Sequence, residues 1–368
     1  MRRRLHITTK GALQLDGPRI PHLQELDRVI GLVNTVFSPE NRSMGFEFPQ
    51  LFSGDNLARL RIFVDSRAGT PVAHAGYVAQ ELVVEGCRLP VAALGSVCTL
   101  PEFRGRGLAS GLVKSIMEQA RSEGLVMMLI SGDSNVYKRL GAIETGDFVR
   151  VGARREELPR LREAVRAWLK GKEIVCRKAK PEDVPAMAAV YRREPVRYVR
   201  SVKSFSELTW WRPEMKRLFA FESMRIASTG REMLAYIVTR LRTLDDGRVR
   251  LHVPEFAGPR WAVACLMERA CAELAPDMLT MTVCASDLDM IETLRRAELP
   301  LRRTVLPGYT VMALDSAALL NSVEPILAER DGATRDDSLS ALSGAELVKA
   351  LFGGANAIPL PVPGLNYT

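Results

Sequence analysis

Gly95-Ser96-Val97-Cys98-Thr99-Leu100-Pro101-Glu102-Phe103-Arg104-Gly105-Arg106-Gly107-Leu108-Ala109-Ser110 is the stretch on which the reading of this chain turns. An apolar, strand-like run ends near Thr99, two glycines let the backbone fold tightly, and a helix begins at once. Leu108, Leu112, Val113, Ile116, Met117 and Ala120 form one apolar face of that helix, and Gly124 is a natural stop. Residues 125–130 are then wholly apolar and read as a buried strand, so the unit is one βαβ crossover. Free amides and the positive dipole end at the helix start form an anion site, to which Arg104 and Arg106 add fixed charge. The ligand implied is a pyrophosphate.

Three phosphate motifs compete for this loop. A P-loop is excluded because no Gly-Lys-Ser/Thr follows the glycines. A dinucleotide fingerprint needs a third glycine where Ser110 stands, and belongs near the start of a doubly wound domain. Here several antiparallel-looking strands come first. What remains is Arg-x-x-Gly-x-Ala, written as Arg104 to Ala109, which resembles the coenzyme A loop of the GNAT superfamily of N-acetyltransferases. The competing reading is a glycine-rich structural turn.

The resemblance covers residues 20–150 and implies acetyl-CoA as acyl donor. It implies that the backbone of Val97, Cys98 and Thr99 meets the acyl and pantetheine portion. Arg104, Gly105, Arg106, Gly107, Leu108 and Ala109 would surround the pyrophosphate. The segment from Ser131 to Gly141 resembles the family's Tyr-x-Arg-x-Gly stretch, which implies Tyr137 as general acid to the departing thiolate; the alternative is a packing tyrosine. Leu51-Phe52-Ser53, Asn56, Val97-Cys98-Thr99 and the Tyr137 segment also resemble the tandem-GNAT, enhanced-intracellular-survival type. That type implies a catalytic C-terminal carboxylate, here Thr368. It also carries a sterol-carrier-like region, for which the 54 residues after Leu314 are too few, so lipid binding is not carried over.

The fold class expected is α+β: tandem GNAT folds, each a mixed, mostly antiparallel sheet flanked by helices, with a short C-terminal tail region. Residues 23–37 show helical periodicity, and strands are expected over 60–64, 72–84 and 89–99. An offset of 153 residues superposes Pro101-Glu102-Phe103 on Pro254-Glu255-Phe256, both placed at strand ends, and the helix after Gly107 on one from Trp261. The domains expected are 1–152, cofactor-binding; 153–172, a linker helix; 173–314, a degenerate copy; and 315–368, a helical region and extended tail. At this offset the loop becomes Ala257-Gly258-Pro259-Arg260 and Tyr137 becomes Met290, so the second domain is expected to be inert. Ser343 to Glu346 fits a capping box.

Composition narrows the classes further. No apolar run is long enough to cross a membrane, and no apolar segment follows the basic N-terminus, so a cytoplasmic enzyme is expected. Six cysteines without CxxC spacing and four dispersed histidines give no metal pattern. The net charge of +8 favours anionic ligands, but the arginines are spread among acidic neighbours, which disfavours nucleic acid. The partner expected is a small-molecule or peptide amine, and a homo-oligomer is compatible with the sequence. The alternative to an amine N-acetyltransferase is a non-catalytic acyl-CoA-binding regulatory or scaffold protein. The strand over 89–99 carries no carboxylate, so the general base is sought at Thr368, then His74, Glu40 or Glu47.

Overall fold

In a computed structural model the chain is described over residues 14–37, 43–171, 173–209, 222–230, 232–331, 337–354 and 356–366. The strands of the first half are β1 (Leu15–Arg19), β2 (Leu60–Asp65), β3 (Thr70–Val84), β4 (Cys87–Thr99), β5 (Met127–Ser131), β6 (Ile143–Glu144) and β7 (Phe148–Arg154). Those of the second are β8 (Val175–Lys178), β9 (Val196–Tyr198), β10 (Glu222–Thr229), β11 (Glu232–Thr243), β12 (Val249–Ala257), β13 (Met278–Cys284), β14 (Leu301–Thr304) and β15 (Tyr309–Ala313). β3 and β4 make a long hairpin whose turn, Glu85-Gly86, has positive φ at both residues (47° and 89°), the twist-matched geometry for two-residue hairpins.

Two mixed sheets result, in the orders β1-β2-β3-β4-β5-β15-β6, with β9 added on β3, and β14-β7-β13-β12-β11-β10-β8. Each holds one parallel pair, β4/β5 and β12/β13, bridged by the helices Leu108–Ser122 and Arg260–Leu274. The first helix buries Leu108, Leu112, Val113, Ile116 and Ala120 against the sheet, the face its periodicity marked.

The two halves exchange their last strands. β7 runs antiparallel to β13 in the second sheet, and β15 runs antiparallel to β5 in the first. The boundary expected at residue 152 therefore cuts a strand of the second sheet, and β15, expected in the second domain, completes the first. A parallel pair leaves the outer edge of its later strand open, and the exchanged strand covers that edge. From Val149 onward β7 alternates buried Val149, Val151 and Ala153 with exposed Arg150, Gly152 and Arg154, a pattern that defines a strand but not its sheet.

Two further expectations change. Pro101–Phe103 forms a 3-10 turn after β4, whereas Pro254, Glu255 and Phe256 lie inside β12, so the matching triplets are not structural equivalents. Ser343 precedes the helix Gly344–Phe352 but makes no side-chain cap bond; the Gly344 amide donates instead to Ser316 Oγ at 3.1 Å. The helices Ser316–Asp331 and Gly344–Phe352 pack on the first sheet through Leu319, Val323, Leu347, Val348, Leu351 and Phe352. The tail is irregular up to a 3-10 turn at Gly364–Asn366, and it buries Ile358, Leu360 and Leu365. No helix among the described residues is long and apolar enough to cross a membrane, and no metal-ligating cluster occurs among them.

Candidate functional site

The site begins where β4 and β5 part. Their parallel pairing runs from Val91/Met127 to Leu94/Ile130 and stops. β4 continues to Thr99 on β3 alone, while the end of β5 stays with β15 and Gly308. The cause is a bulge: Gly95 lies opposite Gly76 and Cys98 opposite His74, so β4 carries one extra residue there, with Ser96 at φ 54°. The buried hydroxyls of Ser96 and Thr99 have no partner within the described residues. Nothing in the sequence announces this bulge, because serine is no marker of positive φ.

Below the gap, Gly105 and Gly107 adopt φ 75° and 77°, and an added Cβ at either would meet nothing within 4 Å. Gly107 caps the helix Leu108–Ser122, whose first amides have no intrahelical acceptor. Arg104 folds back to donate from Nε to the Thr99 carbonyl at 3.1 Å, and Arg106 is exposed beside it. Open glycine faces, free amides and two guanidinium groups fit a pyrophosphate. The loop follows the bulged end of β4 directly, and the Arg104–Thr99 bond ties the two together.

Tyr137 stands across the gap. Ser134 caps the short helix Asn135–Arg139 by accepting from the Val136 amide at 3.3 Å, and the Tyr137 ring lies against Gly132 at the end of β5. Burial, with a smaller effect of Cys98, pushes the Tyr137 phenol up to about 12. Burial likewise pushes the Cys98 thiol up to about 12. Cys98 is therefore a poor nucleophile. His74 is fully buried and its Nδ1 donates to the Ser96 carbonyl at 2.9 Å, which leaves Nε2 as a bare lone pair without a partner. Burial holds this imidazole down at about 4, so it is a weak base at neutral pH.

Glu47 is buried and engaged, while Glu40, Tyr367 and Thr368 lie outside the described residues. A cleft of about 430 Å³ between the sheets is lined by Ser131, Gly132, Arg150, Thr282, Tyr309 and Asn366. The tail reaches it: Asn366 is held by Arg200, a contact that sequence reading missed for want of any local signal.

Residues 18–143 match the family model described as an acetyltransferase (GNAT) domain. These residues form a GNAT domain. Acyl transfer is the general chemistry of that family. Over a longer span the fold resembles a GCN5-related N-acetyltransferase from Kribbella flavida, with 18% identity, 84% of this chain and 73% of that one covered, and a TM-score of 0.60. It also resembles Eis1 from Mycobacterium abscessus, with 15% identity, 84% and 76% covered, and a TM-score of 0.58. N-myristoyltransferase from Saccharomyces cerevisiae, solved with bound myristoyl-CoA, shares 11% identity over 84% and 83%, with a TM-score of 0.51. At these identities the likeness is one of fold. A search of the curated proteins finds no match.

The second sheet keeps the strand–helix geometry of the GNAT domain but fills its anion site from within. Glu194 accepts from the Gly258 amide at 2.7 Å, and Arg260 pairs with Glu194 at 2.6 Å and Asp287 at 2.9 Å. A carboxylate of the chain itself thus takes the amide that a phosphate would need. Met290, which the 153-residue offset sets against Tyr137, is fully buried, although the paired helices Leu108–Ser122 and Arg260–Leu274 begin 152 residues apart.

Proposed function

We propose that this chain is an amine N-acetyltransferase that uses acetyl-CoA by direct attack, with one working coenzyme site, in the GNAT domain. The observation that carries the reading is the conjunction at the β4/β5 gap. An open-faced glycine loop leads into a bulged strand, and a protonated phenol waits on the far side. Arg104 to Ala109 would hold the pyrophosphate, and the backbone of Val97, Cys98 and Thr99 would hold the acyl and pantetheine portion. Acetyl-CoA supplies an activated acyl group on a thiol leaving group.

The chain's own residues do the rest. Tyr137, its proton retained by burial, is the general acid for the leaving sulfur. The high pKa of Cys98 disfavours an acyl-cysteine route and leaves direct attack by the amine. The weak imidazole of His74 makes it a poor base. The terminal carboxylate of Thr368 is the base in this reading. Asn366 stands at the cleft, and two further residues span at most about 7 Å.

Release of free thiol from acetyl-CoA in the presence of a panel of amines tests the reading. Thiol released in step with amine consumed is the expected result. Tight coenzyme binding without release against any amine would favour a non-catalytic acyl-CoA-binding regulator instead.

A further inference from the structure

Arginines that are scattered along the sequence meet on one face of the second sheet. Directly paired residues of neighbouring strands share a face. The register sets Arg302 opposite Arg150 and Arg242 opposite Arg250. Between these two rows lie His252 and Thr280, with the His252 Nδ1 and Thr280 Oγ1 3.1 Å apart. The reverse face of the same strands is apolar, with Val151, Leu251, Leu279 and Met281 packed under the helix Arg260–Leu274. Among the described residues Arg150, Arg242, Arg250 and Arg302 form no ion pair, and the buried Nε of Arg250 has no acceptor. Positive charge is felt at the centre: burial first, then Arg240 (opposite His252 on β11), Arg250 and Arg150 hold the His252 imidazole down, at about 4.

This face is large and it leads somewhere. From β14 to β11 are four strand spacings, about 19 Å, and from Arg150 to the row of Arg250 about 13 Å. Arg150 and Thr282, at its near edge, are also walls of the cleft that holds Ser131, Gly132 and Asn366. A ligand whose reacting end enters the cleft beside Arg150 and Thr282 has the arginine face continuous with that wall on which to lay its remainder.

We propose that the amine acceptor is an acidic peptide whose free amine enters the cleft while its carboxylates lie along the Arg150, Arg302, Arg250 and Arg242 face. This rests on the reading of the chain as an amine N-acetyltransferase. The extent of the face exceeds what a single phosphate or carboxylate could engage. A peptide brings an alkyl amine together with negative charges spaced about 3.3 Å per residue. A nucleic acid brings the charge but not the nucleophile, because its exocyclic amines are delocalised into the bases. Guanidinium forks suit carboxylates in two-point contact.

The test measures binding and transfer separately on the full chain. The probes are a short labelled peptide with a free N-terminus and several Asp and Glu residues, its Asn/Gln counterpart, its Lys counterpart, and a single-stranded oligonucleotide of equal charge. The acidic peptide is expected to bind tightest, to weaken with added salt, and to be acetylated with the highest kcat/KM. The doubly exposed pair Arg150→Glu/Arg302→Glu is expected to weaken its binding roughly tenfold, with acetyl-CoA affinity unchanged. Arg250→Gln, which removes the charge and keeps a shorter polar side chain on the strand, is the second variant and should weaken the acidic peptide in the same direction. Equal binding of acidic and neutral peptides, an unchanged charge-reversed variant, or tighter binding of the oligonucleotide would overturn the inference. Failure of the acetyltransferase reading itself would show differently, as absent thiol release with every amine.

Discussion

Arg200 and Asn366 lie 166 residues apart in sequence and meet at 2.7 Å, from the guanidinium Nε to the side-chain carbonyl Oδ1. The same guanidinium grips Glu255 with two bonds of 2.9 and 2.8 Å and lies 4.4 Å over the Tyr191 ring. Tyr236 donates to Glu255 at 2.9 Å. A buried cation so fully paired is a fixed point, and it belongs to the second half of the chain. The second half thereby anchors Asn366, which lines the cleft between the two sheets.

Asn366→Ala should therefore loosen the tail at a stability cost of about 1 kcal/mol. It should lower kcat without changing acetyl-CoA affinity. Appending glycines after Thr368 should do the same with no loss of stability, because it moves the carboxylate alone. Full activity at neutral pH in the extended, folded protein would remove Thr368 from the role of base.

Gly107 sits at φ 77° with open space around it. Asn tolerates this left-handed conformation, so Gly107→Asn and Gly107→Asp should both fold. Only the Asp variant sets a carboxylate against a pyrophosphate, and its acetyl-CoA affinity should fall at least roughly tenfold below that of the Asn variant. Equal affinities by calorimetry would place the pyrophosphate elsewhere.

Tyr137→Phe keeps the ring against Gly132 and removes only the proton. Turnover should drop roughly 10²–10⁴-fold while coenzyme affinity holds. Wild-type turnover would leave Tyr137 a packing residue.

Calorimetric titration should find one acetyl-CoA per chain, because Glu194 already occupies the Gly258 amide. Arg260→Ala should leave that stoichiometry and affinity unchanged. Two equivalent sites would contradict the self-filled loop.

His74 and His252 both have pKa values held near 4, against an ordinary 6.5, by burial first. Both histidines are more easily protonated when the chain unfolds. Their contribution to stability is complete above pH 6.5, and it is lost as pH falls from 6.5 towards 4. Each adds a slope of at most about 1.4 kcal/mol per pH unit in that window. Denaturation midpoints across this range should flatten in His74→Gln; an unchanged slope would mean that His74 is protonated in the folded state.

Much of the fold was legible because it rests on local rules. The helix at residues 108–122 shows in its apolar periodicity, β3 and β4 in their strand-like runs over 72–84 and 89–99, and the tight turn before the helix in its two glycines. The bulge at Ser96 was not legible, since it arises from two strands held in register rather than from a residue preference. Nor was the pairing of Arg200 with Asn366, or of Glu194 with the Gly258 amide, since polar partners distant in sequence leave no periodic trace.

The sequence by itself determined the βαβ unit, the two-glycine turn that opens its helix, and the proline that stands in the second half's corresponding turn. Each follows from steric and hydrogen-bonding demands within a few neighbouring residues. Only the tertiary structure decided that β7 and β15 change places, because alternation specifies a strand's buried face but not its neighbour. It also decided that arginines separated along the chain by acidic residues gather on one sheet face. Strand alternation sends neighbouring side chains to opposite faces, and only the register of β14, β7, β12 and β11 brings those of one kind together.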